Sequence, residues 1–383
     1  MRFFATCARG TEGALRRELA ALRLPAVRGD RGGVAFEGRM EHGLEACLWS
    51  RTAMRVLLEL GRFPAADAAG LYAGARALPW ADWLSARSTL AVEASVASTA
   101  ITHSGFAALK VKDAVVDALR DRLGARPDVD PKDPDVRVVL HLARDQATLS
   151  LDLAGEPLHR RGWRAAVTEA PLKETLAAAV LSLGRVPGDR PFLDPMCGSG
   201  TLCIEQALAA RRLAPGLGRA FGFQRWPGYR GGWQSAWDRM KEEARASALP
   251  RAPAPIAGRD HSAKALAAAR RNAAAAGVAA DVAFEPGDAR DLEPAGPEGT
   301  LCFNPPYGER LAARPLQLGG LYRGLAAMLR RHGGWTAVIL SGSPLLDRAI
   351  ALRPEVTHRL WNGPLEVRLL RYRIPGAPGR VPR

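Results

Sequence analysis

Cysteine is scarce in this chain. Cys7, Cys47, Cys197, Cys203 and Cys302 are scattered over 383 residues and form no C-x-x-C pair. That excludes a disulfide framework and gives no zinc-ligand spacing, so buried free thiols and no metal are the expectation. Long apolar runs are also missing. No stretch reaches the roughly 18–20 uncharged apolar residues of a membrane-spanning helix. The start, MRFFATCARGTEGALRREL, lacks the apolar core and small-residue cleavage site of a secretory leader. A cytoplasmic protein without a membrane partner is expected. No repeat of fixed period is present, which excludes solenoids and propellers.

Acidic residues are in deficit, 39 against 54 lysines and arginines, for a net charge of +15. A basic surface attracts polyanions and speeds their encounter, although abundant Ala, Arg, Gly and Pro also suit a compositional preference for arginine. The excess is uneven. Residues 1–165 hold 24 basic and 20 acidic residues, a net +4, and residues 166–383 hold 30 and 19, a net +11.

Three units are expected from the pattern of elements. In residues 1–56, strands at Phe3–Cys7 and Gly32–Phe36 and helices at Glu12–Ala21 and Met40–Trp49 compose a small α+β unit. Residues 57–162 offer strands at Thr89–Ser95, Val136–Leu142 and Thr148–Leu153 around a helix at Phe106–Leu123. In residues 163–383, strand–loop–helix recurs. PFLD leads through MCGSG into Thr201–Ala210, and Pro255–Arg259 into Ala263–Ala276. Thr300–Phe303 leads into NPPYGER, and a helix at Leu321–Arg331 precedes a strand at Trp335–Ser341. This alternation predicts an α/β, doubly wound sheet binding its ligand at the carboxyl ends of the strands. The tail PGAPGRVPR has no apolar periodicity and is expected to be mobile.

Asp194–Thr201 (DPMCGSGT) falls between strand and helix, where Gly198 and Gly200 allow a sharp turn and close approach of a ligand. The spacing is not G-x-G-x-x-G and no G-K-[ST] follows, so neither a dinucleotide loop nor a P-loop is indicated. The segment resembles the cofactor loop of class I methyltransferases, which implies S-adenosylmethionine as cofactor and contacts from Asp194, Met196, Cys197, Gly198, Gly200 and Thr201. The same resemblance puts Asp260, at the end of the next strand, on the ribose hydroxyls. It puts Asp288 beside the adenine amine and Ala289 near the ring.

Asn304-Pro305-Pro306-Tyr307 follows a strand. An amine on a base ring is a poor nucleophile because its lone pair is delocalised. A catalyst needs acceptors that orient its N–H groups and stabilise the positive charge that develops. The Asn304 side-chain oxygen and the Pro305 carbonyl suit this, and Pro305 and Pro306 hold the backbone rigid. Tyr307 is placed to stack on a displaced base. A cysteine nucleophile is the competing mechanism, but neither Cys197 nor Cys302 occupies the loop position it needs.

Over nearly its whole length the chain resembles the large-subunit (23S) ribosomal RNA guanine-N2 methyltransferases that carry a THUMP domain. The resemblance is carried by Ala8-Arg9-Gly10, Gly105–Asp117 (GFAALKVKDAVVD), Leu151–Gly162 (LDLAGEPLHRRG), Ala170–Ala179 (APLKETLAAA), DPMCGSGT, NPPYGERL and Asn362–Leu365 (NGPL). It implies an N-terminal ferredoxin-like part (1–56), a THUMP RNA-binding domain (57–162) and a Rossmann-like catalytic domain (163–383). It also implies that Lys173, Glu174 and Thr175 lie against the cofactor, that Lys110 and Lys112 belong to the THUMP helix and contact RNA, and that ribosomal RNA is the partner. Some relatives have a second acid two residues after Asp260, where this chain has Ser262. The basic, aromatic segment Arg211–Trp233 either touches RNA or packs its own rings on the domain. Two other readings stay open: a tRNA guanine-N2 methyltransferase built from the same domains, and an inactive RNA-binding assembly factor.

Overall fold

A computed structural model of the chain describes residues 1–166, 172–307 and 315–376. The first two residues of the APLKETLAAA segment, the GERL half of NPPYGERL and most of the C-terminal tail lie outside the described residues. Two compact units emerge. One comprises Met1–Cys7, Arg16–Leu158 and Arg219–Glu243, and the other Ala8–Leu15, His159–Gly218 and Ala244 onward.

The first unit is built on a single sheet. Its strands are β1 (Arg2–Thr6), β2 (Arg28–Asp30), β3 (Gly33–Glu37), β4 (Arg55–Pro64), β5 (Thr89–Ala97), β6 (Asp128–Val129), β7 (Val136–Ala143) and β8 (Gln146–Asp152). Their order is β2-β3-β1-β4-β8-β7-β5-β6. The ten-residue β4 joins the two expected N-terminal parts. Its first half pairs with β1 and its length with β8, across a register shift between Glu59 and Gly61. The expected boundary at 56/57 therefore falls inside a strand. Helix Ser104–Leu123 buries Ala107, Val111, Ala114, Val115 and Leu119 and ends at Gly124 in the left-handed conformation.

The part of the basic aromatic stretch from Arg219 to Trp233 belongs to this first unit, with the residues that follow up to Glu243. Phe221, Phe223, Trp226, Tyr229 and Trp237 are buried. Phe221 and Phe223 stack at 5.4 Å, and Trp237 meets both edge-on. The Arg219 guanidinium donates to the carbonyls of Ala154, Glu156 and Pro157. Arg225 pairs with Asp133 at 2.7 Å. Packing claims these rings, leaving only Trp233 half-buried.

The second unit holds β9 (Phe192–Asp194), β10 (Ile256–Asp260), β11 (Val282–Pro286), β12 (Thr300–Phe303), β13 (Thr336–Ser341), β14 (Val356–Asn362) and β15 (Leu365–Arg373). The order is β11-β10-β9-β12-β13-β15-β14, parallel from β11 to β13, with β15 antiparallel to both its neighbours. Alternation along the strands feeds two cores. Phe192, Phe284, Cys302, Val338 and Leu340 face helices Glu174–Leu183, Thr201–Ala210 and Ala263–Ala275. Leu193, Leu301, Phe303, Ala337 and Ile339 face helix Pro315–Arg331 through Tyr322, Leu325, Met328 and Leu329. Apolar residues on both faces are what a parallel sheet covered by helices demands. The doubly wound expectation holds. Among the described residues no helix is long and apolar enough to cross a membrane, and no cluster of three metal-capable side chains occurs.

Candidate active site

The sheet reverses its winding between β9 and β12, which are hydrogen-bonded neighbours. Open α/β sheets bind ligands outside the carboxyl ends of their strands at such a point. Here those ends carry Asp194 (β9), Asp260 (β10) and Asn304, the residue after β12. Pro195, Met196, Asp260, His261, Asp288, Ala289, Arg290, Pro306 and Leu321 border a cavity of 590 Å³ at this edge.

The glycine loop is held by its own acids. Gly198 and Gly200 adopt φ of +55° and +82°, which glycine takes without strain. The Gly198 N–H donates to Asp260 Oδ2 at 2.9 Å, and the Met196 N–H to Asp194 Oδ1 at 3.0 Å. Ser262, standing where some relatives have an acid, caps helix Ala263–Ala275, and its N–H donates to Asp260 Oδ1 at 2.9 Å. Both Asp260 oxygens thus accept a backbone N–H, yet a carboxylate has about four lone-pair sites, so it can still accept from a ligand. A Cβ built on Gly198 meets nothing within 4 Å, so the loop leaves open space there. These features fit an adenosyl cofactor.

Burial raises the Asp194 carboxyl to about 8 against the Met196 N–H, and the Asp260 charge adds to the rise. Asp288 behaves oppositely. Its hydrogen bonds from the Arg290 guanidinium, at 3.0 and 2.6 Å, and from the Arg290 N–H lower it to about 2. The acid expected beside an adenine amine therefore also holds Arg290. Cys197, Cys203 and Cys302 are buried, and burial pushes all three thiols up, which removes the thiolate that the cysteine mechanism needs.

In the N-P-P-Y segment, Asn304 Oδ1 is buried and has no hydrogen-bond partner among the described residues. Tyr322 donates its hydroxyl to the Pro306 carbonyl at 2.8 Å. The Tyr307 hydroxyl accepts from Asn362 Nδ2 at 2.9 Å. Its half-buried ring lies against Gly342, where any Cβ would collide with it. The NGPL and NPPY motifs, 55 residues apart, meet through that hydrogen bond.

Glu174 and Thr175 are buried, whereas Lys173 is exposed at the start of their helix, and none of the three borders the cavity. Glu174 is instead linked to the loop indirectly. Arg164 donates to Glu174 Oε1 at 2.7 Å, to the Leu172 carbonyl at 3.1 Å and to Thr201 Oγ1 at 3.3 Å. Sequence reasoning missed Arg164, Asn272, Arg290 and Tyr322. Asn272 alone carried a signal, as a polar residue in an alanine-rich helix. It donates to the Ser199 and Ala166 carbonyls at 3.1 and 3.0 Å. Lys110 and Lys112 lie in the other unit. Though two positions apart, both border a depression of 370 Å³ with Tyr72, Asp117 and Arg120, and Lys112 pairs with Asp113 at 2.6 Å.

A glycine loop braced by Asp194 and Asp260, with an amide oxygen left open at the switch point, defines the class I methyltransferase fold. Residues 161–371 match the RMKL-like methyltransferase domain, 65–152 the THUMP domain and 2–57 the RlmL ferredoxin-like domain. The chain belongs to the RMKL-like methyltransferase family. It is 46% identical over 388 residues to a ribosomal RNA large subunit methyltransferase K/L of Syntrophotalea carbinolica, covering 98% of this chain and 54% of that one. The chain thus spans about half the length of the curated relatives it matches. A protein crystallised as a complex with SAH shares 30% identity and a TM-score of 0.90, over 100% of this chain and 99% of that one. A predicted N6-adenine-specific DNA methylase from Listeria monocytogenes shares 30% identity and a TM-score of 0.87, over 98% and 96%.

Proposed function

We propose that this chain is an S-adenosylmethionine-dependent RNA methyltransferase that transfers methyl to the exocyclic N2 of a guanine in 23S ribosomal RNA, in the cytoplasm. One observation carries the reading: the buried Asn304 oxygen, which has no partner among the described residues. An unpaired buried acceptor costs roughly 1–3 kcal/mol, a cost offset when a substrate N–H fills it. The cofactor supplies an electrophilic methyl group when bound. Asp260 would accept from its ribose and Asp288 from its adenine amine, and Asp194, Met196, Cys197, Gly198, Gly200 and Thr201 would shape the loop around it. Ala289 would lie near the ring, and Lys173, Glu174 and Thr175 would support the loop. Asn304 Oδ1 and the Pro305 carbonyl accept the two N–H groups of the amine, turning its lone pair outward. Tyr322 steadies the Pro306 carbonyl, and Tyr307 walls the base. Positioning and fixed dipoles supply the acceleration. Asn304 takes no proton, because an amide is not basic.

The THUMP match supports RNA as the polymer, and the basic residues, Lys110 and Lys112 among them, supply phosphate contacts. The names of the curated relatives favour ribosomal RNA. The test is methyl transfer from labelled cofactor to unmethylated 23S RNA, tRNA and duplex DNA, with the modified nucleoside identified by mass spectrometry. N2-methylguanosine in 23S RNA is expected. Methyladenine in DNA, or label in tRNA alone, overturns the substrate assignment. Failure to bind S-adenosylhomocysteine overturns the enzymatic reading and leaves an RNA-binding assembly factor.

A further inference from the structure

The motif Ala8-Arg9-Gly10 stands apart in sequence from the catalytic segments, yet it belongs to the second unit. There it meets the end of β14. Gly10, at φ +88°, packs so closely that a Cβ would collide with the Arg359 carbonyl oxygen. The Arg9 guanidinium carbon lies 3.8 Å from the centroid of the Trp361 ring. Trp361 precedes Asn362, whose side chain donates to Tyr307. Because β14 is antiparallel to β15, and β15 to β13, β14 runs with the parallel strands and ends at the edge of the sheet that carries Asp194 and Asn304.

Arg9 is exposed and Trp361 half-buried. Among the described residues Arg9 makes no hydrogen bond and meets no carboxylate. Glu366, opposite Trp361 in the ladder, is committed to Arg359 at 2.9 Å. Stacking uses the flat face of a guanidinium and leaves its five in-plane N–H donors free, a fork that matches a phosphate. An arginine pre-ordered on a ring loses less freedom when it binds than a free side chain does.

Resting on the RNA methyltransferase reading, we propose that Arg9, seated on Trp361, grips the backbone phosphate of the RNA strand beside the base that enters the site. The stacked fork fixes the strand while Asn304 and Tyr307 take the base, so it acts as a positioning residue for substrate.

The test uses the full chain with 23S RNA and compares wild type with Arg9→Met, Arg9→Lys and Trp361→Ala. Arg9→Met should raise the KM for RNA about 10-fold, the lower end of what one charge-assisted phosphate contact supplies. It should also reduce the slope of log affinity against log salt by about 0.7, as expected for one lost contact to a single strand. Trp361→Ala should move KM the same way, and Arg9→Lys should recover only part of the loss. Affinity for S-adenosylhomocysteine and Tm should stay at wild-type values in the Arg9 variants. An unchanged KM and salt slope in Arg9→Met overturns the proposal, and full recovery by Arg9→Lys overturns the stacked fork. A wild type that binds neither S-adenosylhomocysteine nor RNA overturns the underlying functional reading instead.

Discussion

On the β9–β10 side of the switch point the polar groups are satisfied from within. Asp194 and Asp260 accept the N–H groups of Met196, Gly198 and Ser262, and the loop keeps its shape before any ligand arrives. On the β12 side a buried amide oxygen at Asn304 has no partner among the described residues, while the groups around it are tied down: Pro306 by Tyr322, and Tyr307 by Asn362. On the proposed reading the contrast separates two tasks. The cofactor would be served by a loop already organised around its acids. The reacting amine would be served by an acceptor whose hydrogen bond forms only when substrate enters.

Removing the open acceptor should break the contrast most severely. Asn304→Ala is expected to slow single-turnover transfer on RNA by about 100-fold or more, by analogy with the loss of one oxyanion-hole donor. Calorimetry should find S-adenosylhomocysteine affinity within about 2-fold of wild type, since Asn304 belongs to the other side. Near-normal transfer by this variant would overturn the amine mechanism.

Asp260→Ala attacks the organised side. It removes a charged acceptor from Gly198 and Ser262 and, on the proposed reading, from a ribose. A hydrogen bond to a charged group contributes about 1.5–3 kcal/mol, so cofactor affinity should fall at least about 10-fold. An unchanged calorimetric Kd would sink the ribose assignment.

The raised Asp194 gives the same side a pH signature. A pKa of about 8 in the folded chain, against an ordinary 3.8, means that the native state holds this proton more tightly than the unfolded state. Its contribution to stability is therefore complete below about pH 4 and is lost as pH rises towards 8. Asp194→Asn keeps the acceptor for Met196 and abolishes the titration. The decline of Tm between pH 5 and pH 8 should be shallower in the variant than in wild type, as scanning fluorimetry can measure. Parallel declines would show that Asp194 is ionised throughout.

The smallest effect is expected at Asp288. Arg290 holds this carboxylate, but the pair is partly exposed, 33% and 52%, and exposed ion pairs contribute little. Arg290→Met should weaken S-adenosylhomocysteine by only about 2–3-fold. A loss as large as that of Asp260→Ala would place Arg290 among the organising groups.

Much of the site was legible in local sequence. The loop Asp194–Thr201 and the segment Asn304–Tyr307 announce themselves because backbone freedom at Gly198 and Gly200, and backbone rigidity at Pro305 and Pro306, are properties of the residues. Helices Glu12–Ala21, Met40–Trp49 and Thr201–Ala210 and strand β12 fall where apolar spacing sets them. Strand β4 was missed. Its burial alternates only in part, and its register shift serves two different neighbours. Glu174 was expected against the cofactor, but its partner Arg164 lies ten residues away across a segment with no regular spacing.

The amino-acid sequence by itself determined the α/β alternation, the turn chemistry of the cofactor loop and the acceptor type after β12, because each depends on neighbouring residues and their backbone preferences. Only the tertiary structure decided which side chains brace those segments. Arg164 on the loop, Asn362 on Tyr307, Arg9 on Trp361 and the buried rings of Phe221–Trp237 in the first unit each join positions by folding rather than spacing. Such pairings follow from where two cores close and which polar groups burial leaves needing a partner. No local window of sequence carries that information.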